Sequence, residues 1–357
     1  FFDNHEESLI LLHTILGIAG NHHRYPDFLN KIDQLFLFFF QKAQQTLSNS
    51  ELFELFKNHK RNLLFLFKNK ILTFDESIIQ YLRNKTRLNG LSDLHYFYSQ
   101  IKLNDEFKEI ANSIKNDIQK VNTNILTEFD EKCEIGENDS EICEIIRKDS
   151  IEDFISYLNK TKLEISTTTI KPSFFETNSF LLDKEPTLIE YASFFGSIQI
   201  IKYLEKNDVE LTPSLWLYAI HSNNAELIRF LDEKSIKPVD RSFKKCIEES
   251  IKCHHNEIAQ YLQRKTFKRG VEKMNRKNNF DETIVAYRFR YFNFSTVPID
   301  LETNLILCYL CRFNYITLVE ILMKDQEIDI SESIISKKLF FFIKFQNNFL
   351  LLISFQK

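Results

Sequence analysis

Apolar residues recur at helical spacing along most of the chain, and two stretches repeat the same arrangement. Pro186-Thr187-Leu188 leads through Tyr191-Ala192 to Ile198, Ile201 and Leu204; Pro213-Ser214-Leu215 leads through Tyr218-Ala219 to Ala225, Ile228 and Leu231. The shared phrase is Pro-[Thr/Ser]-Leu-x-x-Tyr-Ala followed by an apolar stripe. A third copy runs from Ser250 to Leu262, and weaker copies lie at 145–158 and 310–322. Anchored on the Ala192 column, the copies fall at Ile145, Ala192, Ala219, Ser250 and Leu310, with spacings of 47, 27, 31 and 60. The 47 holds a polar insertion, 166–185, and the 60 has room for two units.

Each copy predicts two short helices. Pro186 and Pro213 suit the entry to the first, with Thr187 and Ser214 as caps. A second start is expected at the turn column Asp149, Gly196, Asn223, His254 and Asn314. Glu152, Gln199, Glu226, Glu257 and Thr317 follow three residues later, the spacing of a capping box. A hairpin this small cannot bury its stripe alone, whereas stacked copies can.

Residues 1–130 read as an all-helical region, degenerate repeats or a cap, with amphipathic stretches at 9–19, 28–40, 51–67 and 107–125. Repeats occupy 131–262, an irregular basic and aromatic insertion 263–300, a terminal repeat 301–330 and an atypical Phe-rich tail 331–357. Six of the last 18 residues are Phe, which reads as an aggregation-prone end or, preferred, translated non-coding sequence. The opening Phe1-Phe2-Asp3 lacks an initiator Met and reads as the interior of a longer protein.

The phrase from Thr187 through Gly196 to Leu204 resembles the ankyrin repeat. Gly136–Ser140, Phe175–Phe180, Leu211–His221 and Glu249–His255 are similar to a trichomonad-type ankyrin family known as a domain of unknown function. The resemblance implies an all-α, ankyrin-like helical-hairpin solenoid with a helical N-terminal region, acting as a protein-binding scaffold without catalysis. It also implies a concave surface at the ends of the first helices. Carried over, that surface is Phe194 and Phe195, His221 and Ser222, Lys252 and Cys253.

Composition removes other classes. With 46 basic and 50 acidic residues the chain is too balanced for a strongly basic nucleic-acid binder. None of the six glycines has phosphate-loop or dinucleotide-turn spacing. One stretch keeps a nucleic-acid alternative open: seven basic residues lie between Arg264 and Lys277, and Tyr287–Phe292 alternates rings with cations. A solvated face over packed rings is the preferred reading, so nucleic acid is not the expected partner.

Cys246, Cys253, His254, His255, Cys308 and Cys311 are zinc-ligand types. They sit on an apolar helical phrase and at a repeat turn, so core cysteines are expected and no metal or cofactor is assigned. Neither a G-x-S-x-G elbow nor an H-E-x-x-H helix is present. Trp216 shares its column with Ile189 and Ile247, so it is expected in the core. Sparse cysteines without a secretory leader point to an intracellular compartment, the cytoplasm first. The runs 9–20 and 339–355 are too short or too interrupted to span a membrane.

Overall fold

The computed structural model describes residues 5–22, 26–42, 47–86, 92–121, 125–182, 184–270, 282–294, 297, 301–313, 315 and 318–319. Among these there are nineteen α-helices and no strand, only isolated bridges at Thr86–Ser92 and Thr169–Thr187, so the fold is all-α. No helix among the described residues is long and apolar enough to cross a membrane. The chain forms two compact units, 1–246 and 247–357. The tail 331–357, Asn314 and residues 271–281 lie outside the described residues.

The first part of unit 1 contains α1 (His5–His22), α2 (Pro26–Lys42), α3 (Asn49–Phe56), α4 (Lys60–Lys68), α5 (Glu76–Asn84), α6 (Asp93–Tyr96), α7 (Tyr98–Ile101), α8 (Lys108–Val121) and α9 (Phe129–Ile135). The expected stretch 51–67 is two helices. Ser48 and Glu51 cap α3 in a capping box, and the chain turns back where the His59 amide donates to the Phe56 carbonyl at 2.7 Å. Phe36, Phe56, Leu63, Ile79, Tyr96 and Ile118 form one apolar core that continues through Phe129 and Cys133 to Phe174 and Phe175. Residue 130 therefore marks no break in the core. Tyr96 seals the passage, its hydroxyl donating to the Cys133 carbonyl at 2.9 Å.

Three helical hairpins follow in the same unit: α10 (Glu141–Arg147) with α11 (Ile151–Thr161), α12 (Leu188–Phe195) with α13 (Ile198–Lys206), and α14 (Leu215–Ser222) with α15 (Ala225–Glu233). First helix packs on first helix, α10 on α12 and α12 on α14, and α11 packs on α13. Beyond them come α16 (Lys244–Lys252), α17 (Asn256–Gly270), α18 (Glu282–Arg290) and α19 (Thr303–Arg312).

The predicted turn column does something other than start the second helix. Asp149, Gly196, Asn223 and His254 all have left-handed backbone, with φ of 50°, 74°, 52° and 57°. They end the first helix, and Gly, Asn, Asp and His are the residues that tolerate this conformation best. At three of these turns the next residue's amide reaches back five residues to the anchor column: Ser150 to Ile145, Ser197 to Ala192 and His255 to Ser250. The expected capping boxes at Glu152, Gln199 and Glu226 do not form, because the helix starts one residue later than predicted.

Caps come instead from the neighbouring hairpin. The Asp149 carboxylate accepts the amides of Gln199 at 3.1 Å and Ile200 at 3.0 Å, and the Ser197 hydroxyl donates to the Ile146 carbonyl at 2.6 Å. Asn224 caps its own helix through the amides of Glu226 and Leu227 while its Nδ2 donates to the Gly196 carbonyl. A Cβ on Gly196 would lie 3.1 Å from the Ser222 Cβ and 3.2 Å from the Asn224 Cβ, so glycine also permits this close approach. Of the two predicted first-helix caps, Thr187 forms its box with Glu190. Ser214 is already helical and donates its hydroxyl to Glu190 at 2.6 Å, tying successive hairpins together.

The same arrangement recurs in unit 2 at a place the sequence left blank. Phe292 has a φ of 57°, and the Asn293 amide reaches back to the Arg288 carbonyl at 2.9 Å. Asn293 Nδ2 donates to the Ile251 carbonyl at 2.9 Å, as Ser197 does to Ile146. Where it is described, the stretch 263–300, expected to be an irregular insertion, is largely helical: 263–270 continues α17, and α18 ends in the same kind of turn, with Arg288 in the anchor position. It falls inside the 60-residue gap. Tyr315 completes the series with its amide on the Leu310 carbonyl at 2.9 Å.

Candidate partner-binding surface

The left-handed turns fix where each first helix ends, and hence where the carried-over surface residues point. Phe194 points inward and is fully buried. The segment 166–182, part of the polar insertion and irregular in structure, places Phe180 over it, the two rings stacked at 5.7 Å. Phe180 also meets the Tyr218 ring edge-on at 5.1 Å and the His221 imidazole at 4.2 Å, while the Lys184 ammonium lies 3.0 Å from the Phe180 centroid. Cys253 is buried as well. These two residues therefore belong to the interior, because apolar groups at helix ends are covered wherever a connecting segment can reach them.

The other four remain partly open. Phe195 is half-buried between Tyr191 at 4.8 Å and the Arg147 guanidinium at 5.9 Å. His221 is half-buried beside Phe180 and Phe194. Ser222 is occupied with its own turn, donating to the Ala219 carbonyl and accepting the Asn224 amide. Lys252 pairs with Glu249 at 2.9 Å.

What anchors the covering segment is a buried charge cluster that sequence reasoning missed. Lys60, only 5 % exposed, donates to the carbonyls of Phe174 and Glu176, lies 3.5 Å from Asp93 and rests 4.5 Å from the Tyr96 ring centre. Glu176 accepts the Asn178 amide at 2.7 Å through Oε1, while Oε2 has no hydrogen-bond partner among the described residues. Burial raises its carboxyl from the ordinary 4.5 to about 7. Beside it Arg147 donates to the Asn138 carbonyl at 2.7 Å and the Tyr191 hydroxyl at 3.0 Å, and pairs with Glu137 at 2.9 Å. Lys60 and Glu176 stand more than a hundred positions apart, and no spacing rule joins them.

The basic and aromatic stretch forms no stacking platform over 282–292. Phe289 is buried against Tyr309 at 5.2 Å and Arg288 is buried with it; Arg290 faces Glu248 at 3.7 Å. Nucleotide stacking needs rings presented side by side to solvent. Of the zinc-type residues, Cys246 and Cys253 are buried, and His254 occupies a left-handed turn with Nε2 2.8 Å from the Tyr291 carbonyl. Cys308 and Cys311 are half-buried one turn apart on α19, and burial pushes the Cys311 thiol up.

In comparisons with known proteins, no family model, no curated protein and no solved structure matches the chain.

Proposed function

We propose that the chain is a non-catalytic protein-binding scaffold built as an ankyrin-like solenoid. The observation that carries this reading is the recurrent hairpin, closed at Asp149, Gly196, Asn223 and His254 by a left-handed residue and, within each unit, tied to a neighbour through the turn. Within a unit, such a stack holds the ends of its first helices side by side and repeats a surface rather than forming one cleft. Phe195, His221 and Lys252, half-open and chemically mixed, suit a protein partner better than a small molecule. The nucleic-acid alternative loses support because Phe289 and Arg288 face inward.

Affinity capture from the native cell tests the reading. The double variant Phe195→Ser/Lys252→Glu is expected to reduce recovery of the partner about tenfold or more. Arg229→Glu, exposed on the second helix α15, should leave recovery unchanged. Identical recovery with all three proteins, each verified as folded by circular dichroism, contradicts the assignment of the surface.

A further inference from the structure

The loops on either side of the α14–α15 hairpin frame an open groove of about 650 Å³. Leu211 and Pro213 from one loop and Ile236, Pro238 and Val239 from the other give it an apolar lining. Val239 is 74 % exposed, an unusual position for a large aliphatic side chain. The second loop is held in one shape: the Trp216 indole donates to the Ile236 carbonyl at 2.9 Å, and the Arg241 amide closes a turn onto the Pro238 carbonyl at 2.9 Å.

Ser235, Lys237 and Arg241 complete the lining, all exposed, and neither cation has an acidic partner among the described residues. Asp240, the acid between them, offsets one of these charges but forms no ion pair with Lys237 or Arg241 among the described residues, and the loop stays net positive. Its Oδ2 accepts the Ser242 hydroxyl at 2.9 Å and the Lys245 amide at 3.2 Å, within the turn. Lys244 and Lys245 follow, both exposed. Glu210 is exposed next to Leu211 but does not line the groove.

This chemistry selects among occupants. Pro213 and Pro238 offer no amide donors, which disfavours an added strand and leaves recognition to side chains. No lining residue is aromatic, so nucleotide bases have nothing to stack on. We propose that the groove binds an extended acidic segment of a partner protein. Aliphatic side chains of that segment lie on Leu211, Pro213 and Val239, and its carboxylates meet Lys237 and Arg241.

The proposal rests on the protein-binding reading but uses a different surface, so the two can fail separately. The test is a synthetic array of short peptides varied in acidic, basic and aliphatic positions, probed with the full chain. Binding is expected to concentrate on peptides that combine aspartate or glutamate with leucine or valine, and to weaken with added salt. Lys237→Glu/Arg241→Glu should lower affinity for those peptides at least about tenfold, and Arg229→Glu should leave it unchanged. The proposal is overturned by no enrichment, by enrichment of basic peptides, by equal binding to the loop variant, or by displacement with single-stranded RNA. If the array fails while helix-end capture still depends on Phe195 and Lys252, the scaffold reading stands without the groove.

Discussion

Replacing Trp216 with alanine is expected to destabilise unit 1 by about 3–5 kcal/mol, the range for removing a large buried aromatic ring. The side chain is fully buried, and its ring meets the Phe243 ring edge-on at 5.0 Å. The cavity is only part of the loss. With the indole gone, the Ile236 carbonyl loses its 2.9 Å donor, and the loop that lines the proposed groove loses its tether. Trp216→Phe separates the two contributions: it refills most of the volume but not the hydrogen bond, and should cost about 1–3 kcal/mol. Urea unfolding followed by far-UV circular dichroism measures both. A loss below about 1 kcal/mol for the alanine variant would mean that Trp216 is not in the core.

The second large effect depends on pH. Unfolded, the Glu176 carboxyl titrates near 4.5; folded and buried, near 7. Between these values the folded chain keeps a proton that the unfolded chain has released, so stability falls as pH rises, by about 3 kcal/mol once pH exceeds 7. His59 works the other way. Burial, helped by His13 and Lys85, lowers its imidazole from 6.5 to about 4, so the unfolded chain binds the extra proton and stability falls as pH drops through that window.

In the native chain the two slopes oppose each other. Glu176→Gln keeps the shape and removes the first, so its stability should rise with pH between about 4 and 6.5 and then level off. Relative to the native chain the variant should gain about 3 kcal/mol at pH 8 and almost nothing at pH 4.5. The chain has one tryptophan, so fluorescence-detected urea unfolding at the two pH values reports on unit 1 directly. A gain equal at both pH values, or a loss at pH 8, would place the Glu176 carboxylate in water or in a strong ion pair.

The hairpins at 186–231 were legible because their signals are local. Thr187 and Glu190 cap within one turn, and Gly196 and Asn223 are residues that accept left-handed backbone on their own account. The unit at α18 was not legible for the converse reason. Phe292 has no intrinsic preference for its conformation, and the turn is held by Asn293 reaching Ile251 and Asn256 from about forty positions away.

Of the surface residues, the ankyrin resemblance placed Phe194 and Phe195 on a surface at a helix end but could not reveal what lies above them. Phe180 covers the first and leaves the second half-open, and nothing in the pattern of 166–185 announces a covering ring. The N-terminal helices posed the same difficulty. Their amphipathic stretches were visible, while the core they share with Phe174 and Phe175 follows from long-range contacts such as Lys60 with the Phe174 carbonyl.

Hydrogen exchange resolved to single amides tests the recurrent turn most directly. The account predicts strong protection at Ser150, Ser197, His255, Asn293 and Tyr315, whose amides donate to Ile145, Ala192, Ser250, Arg288 and Leu310. Exchange at the rate of an open loop at these five positions, with the helices on either side still protected, would contradict it.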